Sequence, residues 1–329
     1  MDPKMNVKDA AQFLGISPKD LVKRLSKCNL PYLKRKGMVY FDYNTSCELF
    51  AHKFTPRAIS FQIVKGGTGK TSLATSFAIC ANLYGLKVLC IDLDQQGNMS
   101  QSFGVDAESL PVMVDILAEG YTYAQAITNV LPGLDLLSSR IENALIDDVI
   151  KLRKYPLDKV YREPFKKLKE TYDLIVVDCP PNLGQSVAAI TLAVDQVVAP
   201  VVPENFALTG LKATSNAIVE LQAQYHHKVE LAVVMNKYDP KIKLSHDAYS
   251  ALISHPVYNK RMCETIIGLY QDFPDAVANN ASIFDDLKGS NAKKDIDSFT
   301  REILNIGINP RKKAKNTDQR TASLEDILA

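Results

Sequence analysis

The sequence predicts an α/β fold: a doubly wound, mostly parallel sheet with helices on both faces, preceded by a small basic helical module. Three observations carry this. From Ala58 onward, apolar runs of four to eight residues alternate with helical stretches. Most of these runs are apolar on both faces, as central parallel strands must be when helices cover both sides of the sheet. Residues 1–57 stand apart in charge, with eleven Lys or Arg against five acids, which leaves the rest of the chain net acidic. A basic excess of that size in so short a stretch suggests a polyanionic partner.

The N-terminal module is expected over residues 1–50. Asn6 can cap a helix carrying Val7, Ala10, Ala11 and Leu14 at helical spacing, and Gly15 stops it. Ser17-Pro18-Lys19-Asp20 opens a second helix with a capping Ser, Pro at the first helical position and an early acid. Leu21, Val22 and Leu25 face inward on it. Tyr32 to Phe41 reads as two short strands about a Lys-Gly turn. Helix, turn, helix and basic hairpin together resemble a small winged helix-turn-helix of the MerR and excisionase types. That resemblance implies Lys19, Lys23 and Arg24 on the helix offered to the major groove of DNA, and Lys34, Arg35 and Lys36 on a wing over phosphates. The alternative is a basic docking or oligomerisation module. Residues 51–57 (AHKFTPR) read as a linker.

Strands are expected at 58–64, 87–92, 134–139, 173–178, 196–202 and 229–236, within a domain spanning 58–307. Residues 308–329 read as a flexible basic tail. No stretch approaches the roughly 20 apolar residues of a membrane span, and no secretory signal is visible at the N-terminus. The six cysteines form no CxxC pair and several lie inside apolar runs. They read as reduced core thiols of a cytoplasmic protein.

The chemistry concentrates in Lys65-Gly66-Gly67-Thr68-Gly69-Lys70-Thr71-Ser72, set between an apolar strand and a helix. Glycines let the backbone curl so that several N–H groups converge on an anion, and the helix N-terminus adds partial positive charge. Lys70 can then reach the β- and γ-phosphates, and the Thr71 hydroxyl can ligate Mg²⁺. This is the context of a P-loop NTPase fold.

KGGTGKT carries two lysines and resembles the deviant Walker A motif of the ParA/MinD partition ATPases. The resemblance implies that Lys65 reaches the phosphates of a partner subunit, so that ATP closes a homodimer. Ile91 to Asn98 resembles the same family's DxDPQGN segment, with Gln95 in place of proline. It implies that Asp94 positions the attacking water and that Asp92 gives support near Mg²⁺. Tyr172 to Pro181 reads as a Walker B-like strand in which Asp178 can bind Mg²⁺ through water. Pro200 to Leu211 also follows the family pattern. Asn236-Lys237-Tyr238-Asp239 is open to two readings: a guanine-reading NKxD, or the family's Asn beside adenine. ATP is favoured, because the two-lysine loop and DLDQQGN point together.

The resemblance covers roughly residues 58–305. It lapses at Gly268-Leu269-Tyr270, where relatives often carry an arginine for sequence-independent DNA contact. Basic residues that could serve instead are Lys241, Lys243, Lys260, Arg261, Arg311, Lys312 and Lys313. The expected function is an ATP-dependent DNA partition ATPase for a plasmid or mobile element, nucleoid-associated, reset by a ParB-like adaptor and able to repress its own genes through the N-terminal module. Alternatives are a nucleotide-gated DNA-binding regulator with little turnover and a GTPase of the same superfamily. Nitrogenase-like and amidoligase relatives are disfavoured by the lack of a cluster-ligand cysteine pair. A MinD-like membrane selector is disfavoured by the tail.

Overall fold

The capping signals of the first thirty residues act locally. Asn6 ends β1 (Met5–Asn6), and its side chain accepts the Lys8 N–H at the start of α1 (Val7–Leu14). Gly15 ends that helix in the left-handed region, at φ 67°. Ser17 accepts the Asp20 N–H and Pro18 opens α2 (Pro18–Lys27). β2 (Leu33–Arg35) and β3 (Met38–Phe41) are closed by Lys36 and Gly37, both at positive φ, the geometry that suits a two-residue hairpin. β1 pairs antiparallel with β3 to make a three-stranded sheet, and α3 (Tyr43–Phe50) follows. The computed structural model describes residues 1–50, 54–204 and 207–307, with only the backbone of Ala207. The 308–329 tail, with Arg311, Lys312 and Lys313, and residues 51–53 of the expected linker lie outside the described residues.

These N-terminal elements share their hydrophobic core with the main domain. Ala10, Ala11, Leu21, Leu25, Leu49 and Phe50 are buried in one hydrophobic cluster with Phe61, Phe77, Tyr84 and Phe299 of the main domain. Tyr84 packs 4.9 Å from Phe13 and 5.7 Å from Phe50, ring to ring, and donates to Asp297 at 2.6 Å. Lys4 N–H bonds the Phe284 carbonyl, and the Tyr40 hydroxyl bonds that of Leu287. A segment of fifty residues buries only a marginal apolar core by itself. The one-sided helices here complete their core against the main domain instead.

The main sheet runs through β4 (Arg57–Phe61), β5 (Val88–Asp92), β6 (Ile127–Leu131), β7 (Leu134–Leu137), β8 (Leu174–Asp178), β9 (Gln196–Val201), β10 (Glu230–Tyr238) and β11 (Met262–Gly268). Its order is β11-β10-β9-β4-β8-β5-β7-β6. All pairs are parallel except β6–β7, an antiparallel edge absent from the sequence reading. The helix after β4, α4 (Lys70–Leu83), is buried over most of its length. β4 lies between β8 and β9, where strand order reverses, and ligands of open α/β sheets bind beyond the carboxyl ends of strands there. Among the described residues no helix is long and apolar enough to cross a membrane.

Candidate active site

The chain leaves β4 at Phe61 and turns through Val64–Gly69 into α4. Gly67 and Gly69 sit at φ 73° and 80°. At Gly69 the positive φ favours glycine, and a Cβ would also fall 2.6 Å from Nδ2 of Asn236 and displace that amide. Lys70, the first residue of α4, is 7% exposed, with Nζ 3.5 Å from the Lys65 carbonyl oxygen. Two successive residues of β10 brace the loop. Asn236 Nδ2 donates to the Thr68 carbonyl and Lys237 Nζ to the Gly67 carbonyl, both at 2.8 Å. From the other side, the Val64 N–H donates to Thr214 Oγ1. With these carbonyls taken up, the loop is free to offer its N–H groups inward, as an anion site requires.

Asp92 and Asp178 end neighbouring parallel strands in register. The Thr71 hydroxyl donates to Asp178 Oδ2 at 2.6 Å, while Asp178 Oδ1 is buried with no hydrogen-bond partner. Asp92 is fully buried. Its Oδ2 accepts from the Ser100 N–H and hydroxyl, both at 2.9 Å, and its Oδ1 from the Asp94 N–H. Asp94 is 8% exposed and accepts the Gln96 N–H. Burial pushes the Asp178 carboxyl well above the usual carboxylate range, and the nearby Asp92 adds to it. Burial also pushes Asp92 up.

Two buried carboxyls, one with an orphaned oxygen against a threonine hydroxyl, fit a divalent cation. Among the described residues no three His, Cys, Asp or Glu could hold a metal by themselves. Mg²⁺ suits such a site, because it takes one or two protein oxygens and completes its shell with phosphate and water. Thr71 and Asp178 would hold it. The structure turns the Asp92 carboxylate onto Ser100 and the Asp94 backbone, so Asp92 backs this pair rather than joining it.

Beside the loop opens a cavity of about 540 Å³, lined among others by Gly69, Ser72, Asn236, Leu269, Tyr270 and Phe273. It suits a flat heterocycle next to the phosphates. Tyr270 is fixed by donating to Asp295 at 2.7 Å, and the same oxygen accepts the Gly268 N–H. Leu269, Tyr270 and Phe273 escaped sequence reasoning. The segment reading Gly268-Leu269-Tyr270 was the only signal, and it registered as a lapse from a motif. Asp239, the residue a guanine would need, accepts from the Lys241 N–H and is not in this lining.

Lys65 stands at the loop's start with Nζ 2.5 Å from Glu204 of the same chain. The pair is exposed enough, at 24% and 58%, to hold the ammonium only weakly; such pairs contribute about 0–1 kcal/mol. Lys19, Lys23, Arg24, Lys34, Arg35 and Lys36 are all exposed. Lys23 lies 3.8 Å from Asp20, and Arg24 donates to the Leu49 carbonyl.

Residues 56–231 match the family model described as an AAA domain. The chain is 28% identical over 312 residues to the cell division protein PomZ of Myxococcus xanthus, covering 92% of this chain and 93% of that one. It is 29% identical over 221 residues to the chromosome-partitioning ATPase Soj of Treponema pallidum, covering 64% and 82%. Its fold matches an ATP complex of McdA from Cyanothece with a TM-score of 0.67, at 20% identity, over 77% of this chain and 98% of that one.

Proposed function

The chain belongs to the AAA-domain family, and from that premise we propose that it is an ATPase that partitions or positions DNA. ATP-Mg²⁺ binds between the Gly66–Ser72 loop and Asp178, and a second copy closes over it. Lys65 leaves Glu204 and reaches the neighbour's phosphates. The closed dimer binds DNA without sequence preference, and an adaptor-stimulated hydrolysis step resets it. The N-terminal segment binds an operator through Lys19, Lys23, Arg24, Lys34, Arg35 and Lys36.

One observation carries most of this reading. Thr71 and Asp178 meet at 2.6 Å beside a buried lysine, with one carboxylate oxygen left over. Chain residues divide the work accordingly. Lys70 and the loop N–H groups stabilise charge on the transferring phosphoryl group. When bound, the cation neutralises developing charge on the phosphate oxygens. Asp94, at the mouth of β5, orients the attacking water. The relatives support the biological setting, since one is a chromosome-partitioning ATPase and another a cell division protein. ATP is favoured over GTP by the turn of Asp239 toward Lys241 and away from the cavity.

Asp94→Ala is the test of hydrolysis against mere binding. ATP affinity is expected to stay within about threefold, while turnover falls by about 10²-fold or more, the scale of losing a positioned acid–base group. Unchanged turnover would remove Asp94 from the chemistry. Turnover absent already in the unaltered protein, with DNA and adaptor present, would favour the nucleotide-gated regulator.

A further inference from the structure

Residues 151–169 carry a charge bias that neither the phosphate site nor the N-terminal segment uses: eight Lys or Arg against two acids. They span the end of the helix Ile146–Leu152, the helix Leu157–Val160 and the helix Arg162–Leu168. Lys151, Lys154, Lys159, Arg162, Lys166 and Lys167 are exposed, and among the described residues their side chains make no ion pair or hydrogen bond. A solvated face of a soluble protein ordinarily intersperses both signs. This segment does not.

The bias converges on a built feature. Arg162 and Lys166, one turn apart on the same helix, open onto a cavity of about 440 Å³ together with Lys169, His227, Glu163 and Asp195. Asp195 is already satisfied, by Lys169 at 2.7 Å and by the Ala58 N–H. Glu163 is then the one acid left against the free guanidinium and ammonium. His227 bonds the Val194 backbone through its ring, while its Nε2 is buried without a partner.

Position adds a second reason. Val194 and Asp195 immediately precede β9, and His227 precedes β10, so the cavity sits at the amino ends of the parallel strands. The phosphate loop sits at the carboxyl end of β4. The surface thus lies at the opposite end of the sheet from the loop over which a second copy would close in the proposed dimer.

We infer that the 151–169 band, centred on the Arg162–Lys166–His227 cavity, is a phosphodiester-binding surface that carries sequence-independent contact with duplex DNA. The inference rests on the partition reading above and supplies the basic residues that the Gly268-Leu269-Tyr270 departure left unassigned. Backbone contact of this kind needs spaced cations and no base readout, and each phosphate neutralised releases counterions.

The experiment uses the full chain with ATP and a random-sequence duplex, followed by fluorescence anisotropy across a salt series. In the triple variant Arg162→Ala, Lys166→Ala, Lys167→Ala, affinity is expected to fall by about 10- to 10³-fold. The slope of log affinity against log salt should drop by about two to three. ATP turnover without DNA should not move, and Arg162→Lys with Lys166→Arg should retain binding. NMR of the His227 imidazole should show its pKa rising when duplex is added. An unchanged slope in the triple variant, with the unaltered protein binding DNA, would overturn the surface and leave the partition reading standing. An unaltered protein that binds no duplex at low salt would overturn both.

Discussion

Lys70→Ala is expected to lower ATP turnover by about 10²–10³-fold or more, the loss seen when one preorganised donor to transition-state charge is removed. The argument rests on placement. Lys70 is 7% exposed at the first position of α4, behind a loop whose Gly67 and Thr68 carbonyls are held by Lys237 and Asn236. Its ammonium therefore needs no reorganisation to meet a phosphate, and little water competes with it. The substitution removes a side chain that supports no core packing, so thermal stability without nucleotide should barely change. Phosphate release under single turnover, with nucleotide affinity measured separately, checks this. Turnover within tenfold of the unaltered protein would place the transferred charge elsewhere.

The second large effect concerns the N-terminal segment. Tyr84→Ala is expected to cost about 3–5 kcal/mol of stability, as large-to-small core substitutions do. Tyr84→Phe should cost only about 1 kcal/mol, for the hydrogen bond to Asp297. Tyr84 follows the last residue of α4, and its ring meets Phe13 and Phe50 from the N-terminal elements. Residues 1–50 and the main domain should therefore unfold in one transition, with near- and far-ultraviolet dichroism coinciding. A chain beginning after residue 50 would expose Tyr84 and its surroundings, and should aggregate or lose stability. For that reason operator binding is better tested with Lys34→Ala and Arg35→Ala than by truncation. Two separate transitions, or a stable truncated domain, would restore the freestanding module.

What the sequence made legible follows from which interactions are local. The strands β4, β5, β8, β9 and β10 were readable because burial on both faces leaves continuous apolar runs such as LIVVD and QVVAPV. β6 was not. As an edge strand it carries Thr128 and Asn129, and the Asn129 amide binds carbonyls of its own hairpin. The phosphate loop could be read because its glycines and lysines are adjacent in sequence. Its braces could not, since Asn236 lies 168 residues from Thr68. The sequence pattern marked Asn236 as a neighbour of the base, and it lines the cavity beside the loop; the bond of its amide to the Thr68 carbonyl was not legible. The shared N-terminal core was hidden for another reason. A helix with one apolar stripe reads the same whether it closes on its own module or on a larger domain, and only the partner surface decides.

In the proposed function, Lys65 makes the loop one half of a two-subunit site. In the single chain it rests on Glu204 across an exposed, weak ion pair. The decisive measurement is the oligomeric state of the full chain by sedimentation, with ATP, with ADP and without nucleotide, in the unaltered protein and in Lys65→Ala. The prediction is a dimer with ATP alone, a monomer otherwise, and loss of the ATP dimer in Lys65→Ala with nucleotide binding retained. A protein that stays monomeric with ATP, or a Lys65→Ala variant that dimerises as well as the original, would contradict it.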